Sequence, residues 1–203
     1  MRTRSLAAFL VAAFVSNPAL PPRALRAQAP PAPATPRPEL QEVRAALEKY
    51  QDPIVAVHDG YFSTLACIEF PVAGGTGQVP YPAGGMGVHF LNPALMGPEV
   101  DPLRPQVLLY EMKGDRLQLT AAEWFVPLAT GVKERPRLFG QPFDGPMEGH
   151  HPLQPAMMHH YDLHVWLWKP NPAGMFSPTN PDVKCPTTGY SLTEVAPKFV
   201  PER

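Results

Sequence analysis

The chain is poor in the signatures that usually announce an activity. Its 203 residues contain only two cysteines, Cys67 and Cys185, so a cysteine-built zinc knuckle is excluded. No HExxH, GxSxG or dinucleotide-binding glycine fingerprint is present. Gly74-Gly75-Thr76-Gly77 resembles a phosphate loop only superficially: the GKS/T ending and the following helix are missing. A surface loop is the simpler reading. Charged residues make up 17% of the chain, with 17 basic against 18 acidic and no basic stripe, which excludes nucleic acid as an expected partner. The longest apolar run, Leu6 to Val15, is too short to span a bilayer as a helix. No internal repeat is visible.

That short run has a different meaning. It follows the cationic Met1-Arg2-Thr3-Arg4 and precedes Ala27-Gln28-Ala29, a small-x-small processing pattern. Residues 1–29 are therefore expected to be an export signal, leaving no stable membrane anchor and placing the protein in the periplasm or outside the cell. Removing them takes away four basic residues and no acidic one, leaving 13 basic against 18 acidic and a formal charge of −5. Residues 30–38 read as a Pro/Ala-rich, disordered linker. Residues 39–203 are enough for one domain, with an irregular, Pro-rich tail. In an oxidising compartment the two cysteines are expected to form one disulfide, a metal-ligating or catalytic thiolate being the alternatives.

Leu40, Val43, Ala46, Leu47 and Tyr50 recur at helical spacing. Asp52-Pro53 then suits the start of a second short helix, with Gly60 at its end. His58 would lie near that end, solvated or capping. Strands are expected over 64–70, 86–91, 106–112, 116–126 and 160–168, the third and fourth joined as a hairpin through Gly114-Asp115. Proline, at 29 residues, fills the rest with loops, including 127–158. Helices first and strands after, with too few helices for parallel crossovers, predict an α+β fold. The expected form is an N-terminal helical pair packed on a curved, mainly antiparallel sheet or partial barrel enclosing a pocket.

Polar residues inside apolar strands mark the candidate site. With a two-residue turn at 114–115, Glu123 shares a face with Leu108, Tyr110, Leu117 and Leu119, and a buried carboxylate there needs a partner. Glu111 falls on the other face; a bulge would exchange the two faces. His89 is the lone polar side chain in its strand, and His164 lies deepest in the strand His160-Tyr161-Asp162-Leu163-His164. Each alone reads as a hydrogen-bonded core histidine. One shared site would satisfy all three together. His89, Glu123 and His164, with Asp162 orienting a histidine or completing the shell, form a first coordination shell suited to Zn, Fe, Mn or Cu. The same trio without metal could act as general base and carbonyl polariser, so both the cofactor and enzymatic activity stay open.

Histidine density offers a second reading. Five of seven histidines lie between His150 and His164. Met147, Met157, His159 and His160 mix thioether with imidazole, ligands suited to copper; chance His-His pairs in a polar loop are the plainer account.

The segments Gly85-Met86-Gly87-Val88-His89-Phe90-Leu91-Asn92-Pro93, Leu138 to Met147, Tyr161 to Trp168 and Asn171-Pro172-Ala173-Gly174-Met175-Phe176 resemble an uncharacterised family of exported, signal-peptide-bearing bacterial hypothetical proteins. The resemblance implies one domain and bacterial export; it implies no catalytic residue. Three functions thus compete: an exported small-molecule- or metal-binding domain with a buried His/Glu site, a non-enzymatic periplasmic copper protein using the Met/His loop, and a purely structural, disulfide-stabilised domain.

Overall fold

Residues 38–187 and 189–201 are described here from a computed structural model. The expected export signal and all of the linker but Pro38 lie outside them. Helix α1 (Pro38–Leu47) runs into a 3-10 turn at Glu48–Gln51. Its periodic Leu40, Val43, Leu47 and Tyr50 are buried, each contributing roughly 1.5–3 kcal/mol of apolar transfer. Helix α2 (Pro53–His58) starts where expected: the Asp52 carboxylate accepts from the Ile54 N–H at 2.9 Å, and Pro53 occupies the first turn, where no N–H is needed. His58 at its end is exposed. Among the described residues no helix is long and apolar enough to cross a membrane.

Strands dominate the rest. They are β1 (Phe62–Phe70), β2 (Gly84–Leu91), β3 (Val107–Lys113), β4 (Arg116–Pro127), β5 (Arg137–Leu138), β6 (Gln141–Pro142), β7 (Asp144–Met147), β8 (His160–Val165) and β9 (Ser191–Thr193). β5 and β6 form a small hairpin; the others make one curled sheet in the order β7-β8-β4-β3-β2-β1-β9. All its pairings are antiparallel except β1 with β9. Residues 196–200 then run between the two ends of the sheet. On one side the Val79 N–H donates to the Pro197 carbonyl and the Phe199 N–H to Gly77; on the other the Glu148 N–H donates to Lys198 and the Val200 N–H to Pro146. This crosspiece joins β7 to the β1–β2 loop and holds the half-barrel closed at that end.

Two apolar layers result. The outer one joins the helices to Val88, Phe90, Leu108, Tyr110, Leu119, Ala122 and Trp124. The inner one joins Ile68, Met86, Val107, Leu109, Ala121 and Phe125. The Cys67–Cys185 disulfide forms as expected, spanning 118 residues, and Cys67 belongs to the outer layer. The thiolate alternatives are therefore excluded.

Three expectations need correction. The hairpin does turn at Gly114-Asp115, but the register shifts at Thr120, so Leu109 pairs with Ala121 and Val107 with Glu123. One extra residue exchanges the faces beyond it. Glu123 therefore lies with Val107, Leu109, Ala121 and Phe125, and not with Leu108, Tyr110, Leu117 and Leu119. Second, the histidine strand ends at Val165. The chain turns there, and the Trp166 N–H donates to Met175 and the Trp168 N–H to Thr120. Third, the stretches expected to be irregular contain β5, β6, β7, β9 and the crosspiece.

Candidate metal centre

Two bulges aim the site. In β2 the pairing with β1 slips between Ile68–Gly87 and Glu69–Gly85, leaving Met86 extra. Gly87 there has φ +94°, and a Cβ on it would stand 2.3 Å from the Tyr110 carbonyl oxygen. Only glycine fits. Because of this bulge Met86 belongs to the inner layer while Val88 and Phe90 belong to the outer one, which leaves His89 facing inward. The Thr120 bulge in β4 does the same for Glu123; the extra residue satisfies its own hydroxyl by donating to the Leu109 carbonyl at 3.0 Å. β8 needs no reset: His160, Asp162 and His164 alternate inward from Tyr161, Leu163 and Val165.

Glu123 and His164 are direct cross-strand partners, whereas His89 approaches from across β3. Strands two apart are separated by roughly 10 Å in a flat sheet, so the curl is what brings His89 in. The Nε2 atoms of His89 and His164 lie 3.7 and 3.5 Å from the same Glu123 oxygen, Oε2. The three donor atoms fall within 4.8 Å of one another, and all three residues are buried. The sequence expectation that these residues meet is what the geometry presents. Asp162 stands behind them, its Oδ1 3.9 Å from His164 Nδ1.

These separations are too long for hydrogen bonds, which run about 2.7–3.2 Å. Among the described residues, Glu123 Oε2 and both ring nitrogens of His164 have no hydrogen-bond partner, nor does His89 Nδ1. Ligands about 2.1 Å from one tetrahedral ion stand roughly 3.4 Å apart, close to what is observed.

Protonation suits the same purpose. Burial lowers His89 to about 3, helped by the neighbouring His164. Burial also lowers His164, against the pull of Asp162. Both imidazoles are thus neutral, with lone pairs to offer. Burial, reinforced by the charge of Asp162, pushes Glu123 well above the usual carboxylate range. Burial alone would raise Asp162 too, but His160, His164 and His150 outweigh it and hold it at about 2.

The site lines a cavity of about 250 Å³. Ile68, Leu91, Val107, Phe125 and Leu153 supply its apolar wall, with Phe62 and Met158, both partly exposed, also lining it. Glu111 takes no part: the Lys169 ammonium donates to its two oxygens at 3.1 and 2.9 Å.

The Met/His loop does not gather as its composition suggested. Met147 and His160 are fully buried, but Met157 is 85% exposed and His159 only partly covered. The Met147 sulfur instead lies 3.4 Å from the Tyr81 hydroxyl oxygen. One histidine of the dense stretch is deeply placed. His150 is buried and lines the cavity, while its neighbour His151 is exposed. Histidine density was the only sequence signal for it, and density could not separate the two.

Compared with protein-family models, curated proteins and solved structures, the chain matches none of them.

Proposed function

We propose that this is an exported protein that binds a divalent transition-metal ion through His89, Glu123 and His164, at the inner end of a small-molecule cavity. One observation carries the reading: two neutral imidazoles and a carboxyl, all buried, approach each other at 3.5 and 3.7 Å without hydrogen-bonding. Leaving Glu123 Oε2 and His164 Nε2 unpaired would cost about 1–3 kcal/mol each; one ion, held also by His89 Nε2, would satisfy both. Two nitrogens and one oxygen suit Zn, Fe, Mn or Cu rather than calcium or magnesium. Asp162 lies behind His164 Nδ1 at 3.9 Å, on the side where a carboxylate commonly orients a ligating histidine.

Three protein ligands leave a coordination position for a water or a ligand. The cavity wall favours a small molecule with an apolar body and one oxygen or nitrogen donor at its end. An ion there would act as a Lewis acid on that donor, which is how enzymatic activity would arise. The disulfide fits an oxidising compartment and supports export.

Elemental analysis of protein purified from its native compartment tests this. At least one equivalent of a transition metal is expected, and Glu123→Ala should lose the one held by His89, Glu123 and His164. Full-length protein with no metal and no uptake on titration would leave the purely structural reading. A metal content unchanged by Glu123→Ala would move the site elsewhere.

A further inference from the structure

A second cluster shares Asp162 with the surroundings of the first site. His150, His160 and Asp162 bring one donor atom each within 4.8 Å of one another, all buried. His160 Nδ1 lies 3.1 Å from the Met158 carbonyl. A carbonyl only accepts, so Nδ1 carries a proton, which leaves Nε2 as the atom that would ligate. That Nε2 is 3.6 Å from Asp162 Oδ2 and has no hydrogen-bond partner among the described residues.

His150 repeats the arrangement. Its Nδ1 faces Glu194 Oε2 at 3.8 Å, beyond hydrogen-bond distance. Its Nε2 points the other way, 3.5 Å from the Tyr81 hydroxyl, which itself donates to Asp162 Oδ2 at 3.1 Å. Each imidazole thus turns Nδ1 to an oxygen and Nε2 toward a common centre. A histidine is oriented in this way when it ligates a metal. The backbone is shaped for it as well: a Cβ on Gly149 would stand 2.1 Å from the Pro155 carbonyl oxygen, so the loop that turns His150 inward needs glycine there.

We infer that His150, His160 and Asp162 hold a second divalent transition-metal ion, coupled to the His89–Glu123–His164 position through Asp162. Asp162 Oδ2 faces the second position, and its Oδ1 faces Nδ1 of His164, a ligand of the first. The tyrosine hydroxyl of Tyr81 lies beside the second position as a further oxygen. Two imidazole nitrogens and a carboxylate again select the zinc, copper and cobalt class over calcium or magnesium. The second donor set stands independently; only the coupling rests on the function proposed above. His150 itself forms part of the cavity wall.

The test is stoichiometry in the full chain, stripped with chelator and titrated with cobalt(II), read by its visible absorption and by elemental analysis. Wild type should bind two equivalents. His160→Ala and Glu123→Gln should each keep one, the two remaining spectra should differ, and each lost site should weaken by more than about a hundredfold. His150→Gln, in a loop rather than a strand, serves where His160→Ala fails to fold. Asp162→Asn should weaken both. One equivalent in wild type, insensitive to His150→Gln and lost in Glu123→Gln, overturns the second position and spares the first. One equivalent lost in His150→Gln and kept in Glu123→Gln supports the second position and removes the first. No binding at all removes both.

Discussion

Replacing Glu123 with methionine should change the sign of its effect on stability depending on whether metal is present. The carboxyl is buried, and its Oε2 lacks a hydrogen-bond partner among the described residues. Such a group costs about 1–3 kcal/mol relative to an apolar one of similar shape. For a domain of this size, 1 kcal/mol moves Tm by about 2–4 °C. In chelator, Glu123→Met should therefore melt about 2–12 °C above wild type. With metal at a hundred times its Kd, wild type gains about 2.7 kcal/mol, or roughly 5–11 °C, and the variant loses the stabilisation supplied by that position. The order of the two melting curves should then narrow or reverse. The pH dependence has a definite sign. Because burial raises Glu123 in the folded state, the metal-free wild type has that group's full stability only below the ordinary carboxylate pKa of about 4.5. It loses stability as pH rises from there toward the raised value. Glu123→Met removes this loss, so its advantage in chelator should widen with pH across that window. Thermal unfolding by circular dichroism, at several pH values with EDTA or zinc, measures all of this. A variant less stable than wild type in chelator, or a wild type whose Tm no divalent metal moves, would refute the reasoning.

Acid should weaken the metal-free protein through His89 and His150. Both are held near 3 by burial, so their stability is present above about pH 6.5 and is lost as pH falls toward 3. The loss is about 2 kcal/mol each by pH 5, and urea titrations of His89→Leu should show a shallower pH slope than wild type. Removing the disulfide with Cys67→Ala and Cys185→Ala opens a loop spanning 118 residues, worth about 4–5 kcal/mol in the chain-entropy model. Calorimetry should find Tm lower by roughly 10–20 °C; an unchanged Tm would assign the bridge no stabilising role. Gly87→Ala forces a Cβ onto the Tyr110 carbonyl, and strain there should cost at least about 1–3 kcal/mol. In whatever protein folds, cobalt affinity at the His89 position should fall more than at the His150 position; equal effects would mean that Gly87 does not aim His89.

Much of the centre was readable because a polar side chain inside an apolar strand must find a partner. His89, Glu123 and His164 stood out on that ground alone. Their strands were legible too, as were the Asp52-Pro53 helix start and the Cys67–Cys185 pair. The faces were not. Alternation predicts inward and outward sides only while the register holds, and single extra residues at Met86 and Thr120 reset it in the two strands that carry His89 and Glu123. Glu123 was singled out on a register that the Thr120 bulge overturns; both faces of β4 are buried, so its isolation among apolar residues was true on either. The short pairings escaped for another reason. β7 contains Pro146 and the crosspiece contains Pro197, residues that read as loop, and their partners lie far along the chain. His150 sits in such a loop, where no periodicity marks an inward direction.

The crosspiece at 196–200 also bears on how the molecule meets its neighbours. An open sheet ends in unpaired N–H and C=O groups that invite a strand from another chain. Here the terminal strands β7 and β9 have only four and three residues. The Pro146 carbonyl and the Glu148 N–H beside β7, and the Gly77 carbonyl and Val79 N–H in the β1–β2 loop, are already engaged by residues 197–200. The segment that completes the half-barrel is therefore also its guard against edge-to-edge aggregation, and a chain shortened before Ala196 should self-associate well before it unfolds.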